Sequence, residues 1–95
     1  MNSGRRRMTT KILADELNLP TTTGTATSFS AATVVRLVNT DTAAHIVTVV
    51  ETQSGTGIGS ITMPGSSVEQ IVKTATHCVY ADSNKVRGAK VGFTN

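Results

Sequence analysis

The sequence predicts an all-β fold, a small antiparallel sandwich or barrel, on three observations. Short β-branched runs alternate in period two, as at 34–38 (VVRLV) and 46–50 (IVTVV). Turn signals rich in glycine, proline, asparagine and aspartate separate such runs at spacings of roughly 8 to 12 residues, too often to leave room for long helices. Threonine is abundant throughout, which favours strands and leaves hydroxyls on a solvent-facing sheet.

Residues 1–10 read as an extended polar arm with three adjacent arginines, Arg5, Arg6 and Arg7, and nothing to bury; Met8 offers a second plausible start. The rest, 11–95, reads as one domain. Ile12, Leu13, Leu17 and Leu19 fit a short helical turn as well as an irregular strand, and Pro20 ends that element. A threonine-rich connector covers 21–27, and Phe29, one of only two phenylalanines, is expected to plug one end of the core.

Residues 33–51 (TVVRLVNTDTAAHIVTVVE) are the expected centre, two strands flanking a polar break at 39–42 in the manner of a hairpin. Alternation puts Val35 and Leu37 on one face and Val34, Arg36 and Val38 on the other. The returning strand sets His45, Val47, Val49 and Glu51 against Ile46, Thr48 and Val50. Strands apolar on both faces belong in the middle of a sheet, between the core and a second layer or another subunit.

Gly55, Gly57 and Gly59 form G-x-G-x-G, but a phosphate site needs a following helix, and 58–63 alternates as a strand. Pro64 and Gly65 predict a tight turn in which glycine accepts the positive φ of a type II geometry. Strands are expected at 68–73 and 77–81, with a polar turn at 82–85. The last strand, 86–93, carries Ala89, Val91 and Phe93 on one face.

A chain of 95 residues buries about two thirds of its unfolded surface. With 3% aromatics and no tryptophan, its core must be made mainly of Val, Ile, Leu and Ala. The single cysteine, Cys78, excludes an intrachain disulfide and reads as a small apolar strand residue. No apolar run reaches the roughly 18 residues of a membrane helix, and no apolar segment follows the arginines as a secretory signal requires. A soluble protein made in a cytoplasm is expected. Nine basic residues face six acidic ones, so removing Arg5, Arg6 and Arg7 leaves six against six, a neutral body with a basic arm.

No constellation announces chemistry, and neither an enzyme nor a cofactor is expected. His77 and Cys78 are adjacent in a strand, so they face opposite ways and make a poor metal pair. The acidic residues read as turn or solvent-facing strand positions. Nothing places a histidine beside Ser60, Ser66 or Cys78 as a nucleophile's base. Nucleic-acid binding is expected only through Arg5, Arg6 and Arg7, because the three aromatics are not interleaved with basic residues.

From Arg36 onward the pattern RLVNTDTAAHIVTVVE, SITMPGSSVEQIVK and HCVYADSNKVRGAKVGFT resembles small all-β virion proteins of tailed bacteriophages, including those of cyanophages. The similar features are a strand ending in Asn39 and Thr40, a Pro64–Gly65 turn into a strand closed by Lys73, and the YADS segment at 80–83. The resemblance implies a non-enzymatic structural protein synthesised in the host cytoplasm and fixed in many copies to a capsid, neck or tail. The first expectation is a capsid decoration or cement protein, an immunoglobulin-like or jelly-roll-like sandwich bound over contacts between major capsid proteins. A head-to-tail, neck or tail component and a nucleic-acid-binding accessory protein are the alternatives. Partner contacts are expected at Arg5, Arg6, Arg7, Arg36, His45 and Glu51, with homo-oligomers or many-copy assembly and no membrane.

Overall fold

The structure, a computed structural model, describes residues 9–94. The alternating runs become eight strands: β1 (Thr9–Ile12), β2 (Leu17–Asn18), β3 (Val34–Asn39), β4 (His45–Val50), β5 (Gly57–Met63), β6 (Val68–Val72), β7 (Cys78–Ala81) and β8 (Val86–Thr94). One 3-10 turn, Thr23–Thr25, is the sole helical element among the described residues, so the all-β expectation holds. Arg5, Arg6 and Arg7 lie outside the described residues. Thr9 and Thr10, counted with the arm from sequence, are already paired in β1.

Two antiparallel sheets form the sandwich. In the larger, β3 lies between β6 and β8, and the far side of β8 takes β1 along one half and β2 along the other. The ambiguous segment 11–19 is therefore a broken edge strand. Leu13 N donates to Lys90 O at 3.0 Å before the break, and Leu19 N to Val86 O at 2.8 Å after it. The smaller sheet runs β5-β4-β7.

The hairpin expected across 33–51 does not form: β3 and β4 belong to different sheets, and 40–44 is an arch over the end of the sandwich. A run of apolar strand, polar turn and apolar strand describes a hairpin and an arch equally well, because period two fixes only which face is buried. Burial decides the outcome. Val35 and Leu37 of β3 meet Val47 of β4 in one core between the sheets. Asn39 holds the arch and is fully buried. Its Nδ2 donates to Ala43 O at 2.9 Å, Met63 O at 3.0 Å and Pro64 O at 3.2 Å, and its Oδ1 accepts from Asp41 N at 2.9 Å. A buried amide satisfied on both sides stabilises; an unsatisfied one costs about 1–3 kcal/mol.

From β3 to β8, only β4 and β5 are successive neighbours in one sheet; every other connection crosses between sheets. The turn after Pro64 differs in detail from expectation. Ser67 N donates to Pro64 O at 3.1 Å, and the residue with positive φ is Ser66, at 60°, not Gly65. Glycine is required one position earlier because a Cβ on Gly65 would overlap the backbone carbonyl of Thr42 in the arch.

The main core joins Leu37, Val35, Val47, Val79 and Val86 to Leu19, Met63 and Phe29. Each such side chain contributes about 1.5–3 kcal/mol on full burial. Phe29 plugs the core from an unusual backbone. Phe29, Ser30 and Ala31 have φ of 55°, 55° and 58°, a left-handed turn without glycine that costs roughly 1–2 kcal/mol per residue. It is closed by Ala32 N to Ser28 O at 3.1 Å and Ala31 N to Ser28 Oγ at 3.2 Å. The Phe29 ring lies against Gly88, where a Cβ would come within 2.7 Å of Cζ. A smaller cluster of Ala26, Val50 and Cys78 with Tyr80 lies apart from this core.

Lys73, just past β6, is also buried. Its Nζ donates to Ala32 O at 2.7 Å, His77 O at 2.8 Å and Thr74 O at 3.3 Å. The carbonyls replace lost water, and burial still pushes the ammonium pKa down.

Candidate functional site

A sandwich of two open sheets has four edge strands, each a row of unpaired N–H and C=O groups unless something covers it. Here the N-terminal third of the chain lines one side, so that β8 and β7 are not the outermost backbone there and the broken strand of β1 and β2 forms the edge of the larger sheet. β1 and β2 cover β8. The connector covers β7, with Ala81 N donating to Pro20 O at 2.9 Å and Thr27 bridging Val79 through bonds of 3.0 and 2.8 Å. On the other side, β5 and β6 have no strand beyond them among the described residues.

Between those two bare edges the sandwich gapes. A groove of about 300 Å³ opens there, lined by Val47, Val49, Ile58, Ile61, Ile71 and His77 among others. Its apolar lining is open to solvent: Val72 is 81% exposed, Ile58 52% and Ile61 40%. No charged residue occurs anywhere from 52 to 68, so β5 carries none of the edge charges that discourage strand addition. Free backbone groups beside an uncharged apolar groove can hold an extended segment, its backbone on an edge and its apolar side chains in the groove. This region was missed among the sequence-derived contact residues. Its signal was present as an alternating strand inside a charge-free run, but only the sheet order reveals which strand is last.

The residues singled out from sequence do not converge. Arg5, Arg6 and Arg7 lie outside the described residues. Arg36 is on the larger sheet, where Nη1 lies 3.7 Å from Oε2 of Glu16; Oε1 of the same glutamate is 3.3 Å from Nε of Arg87. These half-exposed pairs fasten the break between β1 and β2 to the sheet and are worth at most about 1 kcal/mol each. Glu51 is exposed in the turn beyond the far end of β4 from His45, and its backbone N–H closes that turn on Thr56 O at 2.9 Å.

His45 has the most distinctive surroundings. Its Nε2 is 2.8 Å from Oδ2 of Asp41 in the arch, and its Nδ1 is 2.9 Å from Oδ1 of Asp82 after β7. The hydrogen bond to Asp41 raises the imidazole pKa most, and the charge of Asp82 adds to it against partial desolvation. Reciprocally, the bond from His45 and the Thr42 N–H lower the Asp41 carboxyl. When protonated, the imidazole donates from both nitrogens and ties three segments at one end of the sandwich. The carboxylates sit on opposite edges of the ring, so this is no ligand set, and no metal-holding group of three or more His, Cys, Asp or Glu occurs among the described residues.

Cys78 is buried, with Sγ 3.7 Å from Thr76 O. No described helix is long and apolar enough to cross a membrane. The chain matches no known protein family, no curated protein and no solved structure.

Proposed function

We propose that this protein is a non-enzymatic structural protein of a tailed-bacteriophage virion, a decoration or cement protein that attaches through the open side of its sandwich. The observation that carries the reading is the asymmetry of the edges: residues 9–27 cover β7 and β8, while β5 and β6 flank a bare apolar groove. A surface of this kind suits adhesion to other protein chains. The resemblance from Arg36 onward supplies the virion context, with major capsid protein as the expected partner.

Quantitative mass spectrometry of purified virions tests this. A copy number comparable to that of the major capsid protein supports decoration, a handful of copies moves the protein to the neck or tail, and absence from virions overturns the reading. Ile61→Lys and Val72→Lys should each reduce attachment to capsids while leaving the circular dichroism spectrum unchanged.

A further inference from the structure

The two bare edges are not equivalent. β6 (VEQIV) is short and carries a charge, Glu69, at its second position. β5 (GIGSITM) is longer and wholly uncharged. Its hydrogen-bonding direction follows from its neighbours. Asp82 N donates to Ile46 O, so the backbone groups of Ile46 face β7, and those of His45, Val47 and Val49 face β5. Met63, Ile61 and Gly59 are their partners in register, which turns the N–H and C=O of Ser60 and Thr62 outward. The ladder shifts between Val49 and Val50, leaving Ile58 without a partner, so regular outward pairing is confined to the second half of the strand.

We propose that β5 pairs antiparallel with β5 of a second copy across a two-fold axis at Ile61, so that Ser60 of each protomer exchanges hydrogen bonds with Thr62 of the other. About four inter-chain backbone bonds result, and the smaller sheets merge into one running β7-β4-β5-β5-β4-β7. Chemistry selects a second copy over an unrelated strand. In an isologous strand pair the sequence meets itself reversed, so any charge near the axis meets its own kind; the stretch 52–68 contains none. Small Ser60 and Thr62 sit opposite each other without crowding, and the two half-exposed Ile61 side chains meet at the axis. A two-fold contact also closes on itself, which converts an aggregation-prone edge into a finite dimer. This pairing rests on the assembly reading only in taking the open side as a contact surface. Its test uses isolated protein, whereas the virion reading is tested by virion composition, so either can fail alone.

Sedimentation of the full chain over a concentration series should show a monomer–dimer equilibrium. Thr62→Pro removes one outward N–H without touching the bonds to β4, and Ser60→Lys sets a charge beside the axis; each should weaken dimerisation about tenfold or more with the fold intact by circular dichroism. Register is read by a cysteine pair. In a Cys78→Ala background, Ile61→Cys should oxidise to a disulfide-linked dimer, because directly opposed non-hydrogen-bonded residues lie within disulfide reach. Val72→Cys, more exposed but on β6, should not. A wild-type protein that stays monomeric at about 0.5 mM overturns the proposal. So does a dimer unaffected by both β5 substitutions, efficient cross-linking at Val72→Cys in place of Ile61→Cys, or open-ended polymers in place of dimers.

Discussion

The Nε2 of His45 sits 2.8 Å from Oδ2 of Asp41, so the first residue of β4 is tied to the arch that delivers it. With Asp82 at the other ring nitrogen, the histidine joins the arch to the segment after β7 only while it is protonated. The clamp is therefore a titratable brace at the same end as buried Asn39.

Stability should depend on pH through this brace. The folded-state pKa of His45 is raised above its ordinary 6.5, so its contribution is complete below about 6.5 and is lost as pH rises through the folded value. Asp41 is lowered from 3.8, so its contribution is complete above that value and is lost as pH falls through the folded one. Urea midpoints should be highest between roughly pH 4 and 6.5 and decline as pH rises through the folded value of His45. In His45→Gln the alkaline decline should flatten; an unchanged slope would remove His45 as its cause.

The turn at Pro64 predicts opposite outcomes for neighbouring substitutions. Gly65→Ala drives a methyl into the Thr42 carbonyl and should destabilise by about 2–4 kcal/mol in denaturant titrations. Ser66→Gly relieves a left-handed residue but loosens the unfolded chain, for a net change within about 1 kcal/mol.

The left-handed turn at 29–31 gives a stabilising prediction. Ala31 is exposed with φ of 58°, so Ala31→Gly removes a steric penalty without opening a cavity. Thermal unfolding should show a gain of about 0.5–1 kcal/mol. Ala32→Gly, at a buried residue outside that region, should lower stability instead.

Lys73 should resist conservative replacement. Lys73→Met preserves much of the side-chain volume but strands the carbonyls of Ala32 and His77, for an expected loss of about 1–3 kcal/mol. Lys73→Arg should also destabilise, because a planar fork does not fit carbonyls arranged around a point charge. Both effects are measurable from urea midpoints.

The strands were legible in the sequence because alternation and turn chemistry are local, and β3 to β8 arise where period two places them. The pairing of β3 with β6 and β8 was not legible, since burial across a core is non-local and the polar break at 39–42 serves arch and hairpin alike. Asn39 shows the difficulty: it reads as a turn residue but is the buried organiser of the arch. The break between β1 and β2 was hidden because apolar spacing at Ile12, Leu13, Leu17 and Leu19 has no clear period. Of the site, His45 was visible, but Asp82 reaches it only through tertiary structure. The open β5 edge depended on knowing where each sheet ends.

β1 and β8 pair so that Thr9 lies opposite Thr94. This ladder joins the two most distant parts of the described chain, and closing so long a loop makes it a late folding event. A circular permutant that links these ends and opens the exposed turn at 51–56 would turn that pairing into a local hairpin. It would also make β4 and β5, now joined by a short turn, the pair that must find each other across the whole chain. The order in which the sheets assemble should then reverse, with the larger sheet forming first and the β5 edge completed last.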